Sequence, residues 1–291
     1  MSEVPVLEVR GLRKVYRVRP SRAEAVPVPG SALLGHAVAR RERATTLVAV
    51  DDVSFSVTSG QSLAVVGESG SGKTTVARMV VGLERPTSGV IRISGRERSW
   101  RHVTSRERRR RAREVQIVFQ DPYSSLDPRM SVRACLDESL RVNFDWERDR
   151  RDARVAELLD QVGLDRRQAD SLPRALSGGQ RQRVAIARAL ASEPRVLICD
   201  EAVASLDVSI QAQVLNLLSD IRDATGVSYL FISHDLAVVR QVSDAVIIMR
   251  SGRVVETGPT SSVLSDPSEE YTKRLLAAIP RPGWKPTRSD S

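Results

Sequence analysis

The sequence predicts an α/β fold: a mainly parallel sheet core covered by helices, with an antiparallel β subdomain and an inserted α-helical subdomain. Three observations lead there. First, Gly67-Glu68-Ser69-Gly70-Ser71-Gly72-Lys73-Thr74 fits G-x-x-x-x-G-K-[ST]. It lies between an apolar run, Leu63-Ala64-Val65-Val66, and helical spacing at Val76, Met79, Val80 and Leu83. Second, strand-like and helix-like runs alternate towards the C-terminus: Val196–Cys199, Ile210–Ala224, Ser228–Ile232, Leu236–Val242 and Ala245–Met249. Third, the character from Pro128 to Pro173 is helical throughout, which marks an insertion set at residues 128–175.

Taken in order, Val6–Val18 carries β-type residues and reads as one or two short strands. From Arg19 to Thr46 the pattern breaks at Pro20, Pro27, Pro29, Gly30 and Gly35, so an insertion or long loop is expected, with a helical turn at Ala32-Leu33-Leu34. Val48, Val50, Val53, Phe55 and Val57 restore alternation, as in a half-exposed antiparallel strand. After the glycine loop and its helix, Pro86–Gly89 turns into a strand at Val90–Ser94. Val115–Phe119 is another β-branched run and ends at Gln120. Helices are expected at Val132–Val142 and Ala153–Val162, the latter closed by Gly163, and Leu176-Ser177-Gly178-Gly179-Gln180 opens a helix running to Ala191. No internal repeat is visible.

Composition narrows the class. A hydrophobic fraction of 41% over 291 residues suffices for a core. No apolar run approaches the ~20 residues needed to span a bilayer. The start, Met1-Ser2-Glu3-Val4-Pro5, lacks the basic and apolar regions of a secretory signal. Two cysteines, Cys135 and Cys199, suit a reduced compartment and give no cysteine-built metal centre, so a cytosolic chain is expected. The net charge of +9 comes almost wholly from arginine, densest at Arg106–Arg113. No aromatics interleave that run, which favours a solvated helical face over nucleic-acid binding; a surface for a partner or lipid headgroups stays open.

The chemistry concentrates at two places. In the glycine loop, backbone amides approach phosphate oxygens where a Cβ would clash, and the helix start adds free N–H donors. Lys73 should reach the β- and γ-phosphates, and the Thr74 hydroxyl should ligate Mg²⁺. The second place is Val196-Leu197-Ile198-Cys199-Asp200-Glu201, an apolar strand ending in two carboxylates. If that strand lies beside the one feeding the loop, Asp200 can hold Mg²⁺ and Glu201 can orient and polarise an attacking water. An acidic strand end capping the next helix is the plainer alternative.

With these residues in view, the chain from Leu7 to Thr257 resembles the ATP-binding cassette (ABC) ATPases, a P-loop NTPase fold of ABC type. Leu176-Ser177-Gly178-Gly179-Gln180 resembles the family signature most specifically. The resemblance implies that two cassettes dimerise head to tail around two ATPs. Each would offer Ser177, Gly178, Gly179 and Gln180 to the partner's phosphate loop, and Gly67 to Thr74 with Thr75 would cradle its own nucleotide. It further implies that Gln120 contacts Mg²⁺ and the attacking water, that His234 in Ser233-His234-Asp235 contacts the γ-phosphate, that Asp207 meets the opposite subunit and that Tyr16 stacks on adenine. One departure stands out: Glu201-Ala202-Val203-Ala204-Ser205-Leu206-Asp207 replaces the family's usual Glu-Pro-Thr-Ser-Ala-Leu-Asp, which could loosen that loop while keeping the general base.

Longer stretches are similar to the ATPase subunits of oligopeptide, dipeptide and nickel importers: Val118 to Arg129, Asp207 to Asn216, and the tail from Asp266 to Pro280, where Glu269-Glu270 stands in place of the usual His-Pro. That likeness implies an ATPase domain at residues 5–258 and an importer-type extension at residues 259–291. It also implies a homologous sister ATPase, two membrane permeases, an extracytoplasmic binding protein, and a peripheral place on the cytoplasmic face of the membrane. An ATPase of a carbon–phosphorus lyase-like assembly and a nucleic-acid-associated ABC ATPase are the alternatives, though no nucleic acid is expected.

Overall fold

The computed structural model of the chain describes residues 4–18, 45–100 and 103–278. The expected insertion, its helical turn at Ala32-Leu33-Leu34, and the end of the tail from residue 279 lie outside the described residues.

The chain opens with β1 (Leu7–Val18), one irregular strand rather than two, paired antiparallel with β2 (Thr45–Val57). Then come β3 (Ser62–Val66), α1 (Lys73–Val81), β4 (Ser88–Ile93) and β5 (Arg96–Glu97). The basic run forms α2 (Ser105–Ala112), capped by Thr104, and leads into β6 (Val115–Val118). A short α3 (Pro122–Ser125) precedes the helical insertion: α4 (Val132–Asn143), α5 (Arg148–Gln161) and α6 (Arg166–Asp170). The chain returns through α7 (Gly178–Leu190), β7 (Val196–Asp200), α8 (Val208–Thr225), β8 (Ser228–Ser233), α9 (Leu236–Val242), β9 (Ala245–Arg250) and β10 (Arg253–Pro259). It ends in α10 (Thr260–Ser265) and α11 (Glu270–Ala277).

Two sheets result. The first is antiparallel, in the order β2-β1-β4-β5; the second runs β10-β9-β3-β8-β7-β6 and is parallel except for β10 at its edge. Side chains alternate across a strand, so each parallel strand feeds two cores. Leu63, Val65, Val196, Ile198, Leu230 and Ile232 face the antiparallel sheet and α1. Their neighbours Ala64, Val66, Leu197, Cys199, Tyr229 and Phe231 face the helical subdomain with α7, α8 and α9. Both faces of the sheet are covered, which is why its strands read as continuous apolar runs.

Two expectations need correction. Leu83 does not belong to the buried face of α1: the helix stops at Val81, Gly82 adopts φ 91°, and Leu83 is 65% exposed. Buried Arg98 closes that end by donating to the Val81 carbonyl (2.8 Å), and a Cβ on Gly82 would lie 2.1 Å from its Nη1. Nor does the carboxylate strand lie beside the strand feeding the glycine loop, because β8 separates β7 from β3. No helix among the described residues is long and apolar enough to cross a membrane.

Candidate nucleotide-binding site

The glycine loop leaves β3 at its carboxyl end and is moulded by parts of the chain far away in sequence. A Cβ on Gly67 would lie 2.2 Å from the Met249 carbonyl oxygen, and one on Gly72 (φ 101°) would lie 2.3 Å from that of Ala49. Neither position accepts a larger residue without backbone movement. The Gly252 N–H donates to the Ser71 carbonyl (3.0 Å), bracing the loop from the β9–β10 turn. Glu68, Ser69 and Gly70 form its exposed crest. Gly72 occupies the N-cap position of α1 and supplies no side-chain cap, so the first N–H groups of the helix stay available.

Lys73 is 5% exposed, and its Nζ donates to the carbonyls of Gly67 (2.7 Å) and Glu68 (2.8 Å). Burial pulls its pKa below the usual lysine value, opposed by the charges of Glu201, Asp200 and Glu68. The Ser71 hydroxyl is buried with no hydrogen-bond partner among the described residues. A cradle that excludes Cβ atoms, an uncapped helix start, a buried cation and an orphaned hydroxyl together fit a polyphosphate.

The carboxylates reach this cradle although their strand is one place removed. The Thr74 hydroxyl, on α1, donates to Asp200 Oδ1 at 3.2 Å. Asp200 is buried, and that burial raises its pKa against the lowering effect of the Thr74 bond. Glu201 adopts φ 50°, with its N–H donating to the Ile232 carbonyl (2.9 Å). This strained turn swings its side chain towards the end of β8, where Glu201 Oε1 meets His234 Nδ1 at 3.1 Å. The pairing of Glu201 with His234 was not foreseen from sequence; its signal is a histidine just past an apolar strand, preceding an Asp that caps α9. Asp235 caps α9, its carboxylate accepting the Ala237 N–H (2.8 Å).

Tyr16 joins the same neighbourhood. Burial, followed by the Glu84 carboxylate, raises the pKa of its hydroxyl. Lys14 pairs with Glu84 at 2.7 Å and stands 4.9 Å from the centre of the Tyr16 ring. Gln120 is exposed just beyond β6, and its carbonyl accepts the Ser205 hydroxyl (3.3 Å), tying its segment to the loop after Glu201. No hydrogen bond joins its side chain to Thr74, Asp200 or Glu201 among the described residues. The loop with the unusual Ala202 and Val203 is closed rather than slack. Both side chains are buried, and the Ala204 N–H donates to the Glu201 carbonyl (3.0 Å).

The signature is not brought to the glycine loop. Ser177 caps α7: its hydroxyl accepts the Gln180 N–H (3.2 Å) while Gln180 Oε1 accepts the Ser177 N–H (2.8 Å). Gly179 is fixed by packing, since a Cβ there would lie 2.5 Å from Ile210 Cγ2 on α8. Asp207 is exposed at the start of α8 and makes no capping bond. No hydrogen bond links residues 177–180 to residues 67–75 among the described residues.

Comparison with known proteins decides the family. The ABC transporter family matches residues 50–204, from β2 through the glycine loop and signature to the loop after Glu201. The chain belongs to the ABC transporter ATP-binding proteins. It is 52% identical over 235 residues to a putative peptide import ATP-binding protein of Brucella abortus, covering 81% of this chain and 70% of that protein. It is 45% identical over 233 residues to the dipeptide transport ATP-binding protein DppF of Haemophilus influenzae, covering 80% and 71%. With the oligopeptide transport ATP-binding protein OppD of Mycobacterium tuberculosis it shares 43% identity over 277 residues, 95% of this chain but 42% of that longer protein. Among solved structures, cbiO1 of Clostridium perfringens, part of the ABC transporter complex cbiONQ, matches with TM-score 0.73 at 26% identity, covering 91% of this chain and 92% of that one. The ATP-binding cassette MJ0796, seen as a dimer bound to ADP and Pi, shares the fold with TM-score 0.71 at 24% identity, covering 87% and 98%.

Proposed function

We propose that this chain is the ATP-hydrolysing subunit of a peptide importer, working with a second ATPase subunit beneath membrane permeases. The observation that carries the reading is the line of side chains from Lys73 through Thr74 and Asp200 to Glu201 and His234, a phosphate cradle abutting two carboxylates and an imidazole. The names of the relatives supply the cargo class: peptide import, dipeptide transport and oligopeptide transport.

In this reading Lys73 exchanges its two carbonyl partners for β- and γ-phosphate oxygens, a set of charge-assisted bonds worth roughly 1.5–3 kcal/mol each. The Ser71 hydroxyl and the amides of residues 70–75 complete the cradle, and Tyr16 stacks on adenine. Thr74 and Asp200 offer a hydroxyl and a carboxylate oxygen, donors that suit Mg²⁺ when phosphate oxygens and water fill the remaining positions. The bound ion would neutralise charge on the phosphates. Glu201 orients the attacking water and accepts its proton, with His234 holding the carboxylate through Nδ1 and facing the γ-phosphate. Gln120 reports nucleotide state from its place beside the Glu201 loop. Ser177, Gly178, Gly179 and Gln180 serve the partner's nucleotide, and Asp207 meets the partner at the same seam. Nucleotide therefore favours the closed pair, and loss of the γ-phosphate reopens it.

The chain, its sister ATPase and the permeases reconstituted in vesicles should hydrolyse ATP faster when loaded binding protein and a peptide are supplied. ATPase activity indifferent to every peptide tested, in vesicles that also take none up, would remove the importer reading.

A further inference from the structure

The C-terminal extension touches the catalytic machinery at one point. On α11, the Tyr271 side chain is buried to 7% exposure, and its hydroxyl accepts the backbone N–H of Glu68 at 3.3 Å. Glu68 is the second residue of the glycine loop, 203 positions earlier in the chain.

The peptide unit involved is the one joining Gly67 to Glu68. A trans peptide is planar, with its C=O and N–H pointing in opposite directions. On one side its carbonyl, that of Gly67, accepts Lys73 Nζ at 2.7 Å; on the other its N–H meets Tyr271. The same rigid plane therefore carries Lys73 at one edge and the extension at the other. A peptide following glycine lacks a Cβ to limit its rotation, so an external anchor has the most to fix here.

The anchor is itself secured. The Arg250 guanidinium, at the end of β9, lies 5.0 Å from the centre of the Tyr271 ring. Immediately before α11, Glu256 on β10 is 9% exposed and accepts the Ser268 N–H (2.7 Å), the Ser268 hydroxyl (2.8 Å) and the Glu269 N–H (3.4 Å). A buried carboxylate gathering three donors fixes the entry into α11, and so the height at which Tyr271 meets the loop.

We propose that Tyr271 is a positioning residue for ATP binding, a strut that sets the Gly67–Glu68 peptide and through it Lys73, with Glu256 as the footing of the strut. The proposal rests on the reading of residues 67–75 as the phosphate cradle. It assigns the extension a task inside the ATPase.

The test is ATP binding by the purified full-length chain, alongside its melting temperature without nucleotide. Tyr271→Phe keeps the ring, its burial and the Arg250 contact and removes only the hydroxyl. It should weaken ATP binding roughly three- to tenfold, the scale of one lost hydrogen bond, with the melting temperature lowered by no more than the few degrees one such bond is worth. In the assembled ATPase the same variant should raise KM for ATP and leave kcat unchanged. Glu256→Gln should weaken ATP binding less, and the double variant should fall short of the product of the two single effects, because both act through one contact. Wild-type ATP affinity in Tyr271→Phe, or a lowered melting temperature with affinity intact, overturns the strut. Independent, fully multiplicative effects of the two substitutions overturn the footing. Lys73→Ala run in parallel separates the layers: if it too binds ATP normally, the cradle reading fails; if it loses ATP while Tyr271→Phe does not, only the strut fails.

Discussion

The glycine loop and the signature both present a helix N-terminus, yet they satisfy themselves in different ways. At the loop, α1 begins without a side-chain cap, Lys73 borrows two backbone carbonyls, and the Ser71 hydroxyl is buried without a partner among the described residues. Its shape is imposed by Ala49 and Met249, remote in sequence. At the signature, Ser177 and Gln180 close a reciprocal capping box within four residues, and Ser177 is exposed. The first region is therefore incomplete until something anionic fills it, because a buried unpaired hydroxyl carries a cost that a ligand can relieve. The second is complete as a helix end and can be offered to another chain without rebuilding itself. In the proposed mechanism this is a division of labour: one half receives nucleotide, and the other is displayed for the partner's use.

Substitutions can break this contrast, and the largest effect is expected at the carboxylate beside the loop. Glu201→Gln should cut ATP turnover about 100-fold or more, while ATP binding, measured by equilibrium dialysis, stays near wild type. Wild-type turnover in that variant would show that another group takes the proton. Ser177→Arg should lower ATPase activity of the assembled pair by about tenfold or more, leaving nucleotide affinity of the isolated chain unchanged. A matched loss in both assays would mean that the signature serves its own chain.

The smallest effect sharpens the electrostatic side. Burial raises the Asp200 pKa above its unfolded value, so this group favours folding most at low pH, and that contribution is lost as pH rises through its folded pKa. At neutral pH the buried charge is a cost. Asp200→Asn should therefore raise the melting temperature of the nucleotide-free chain at pH 7, with the gain shrinking in acid, and should weaken Mg²⁺-dependent ATP binding. Calorimetry showing a lower melting temperature at pH 7 would contradict this.

Much of this organisation was legible in the sequence, for identifiable reasons. The glycine loop, the Asp200-Glu201 strand end and Ser177-Gly178-Gly179-Gln180 are local patterns whose spacing is their chemistry. The parallel strands were legible because both of their faces are buried, giving unbroken apolar runs at Val196–Cys199 in β7 and Tyr229–Ile232 in β8. Strand order was not: nothing in the residues of β7 says that β8 stands between it and β3. The meeting of Thr74 with Asp200 survives because Thr74 rides on α1, which lies across the sheet. The first turn of α5, Arg148 to Asp152, was missed because it is all polar, and there Arg151 is held by Asp137 (2.6 Å) rather than by apolar spacing. β10 was missed because Arg253–Pro259 mixes charged, glycine and apolar residues in an edge strand. Tyr271 could not be tied to Glu68, since only the folded chain shortens that separation.

The central claim is that a second cassette closes over this chain's nucleotide with its own signature. The most direct measurement is the molar mass, by light scattering, of the Glu201→Gln chain mixed with its sister ATPase, with and without ATP and Mg²⁺. A two-chain complex should form on adding nucleotide and disappear when either chain carries arginine at the serine of its signature. Chains that stay apart with saturating ATP, or a pair equally stable without nucleotide and with the signature blocked, would contradict it.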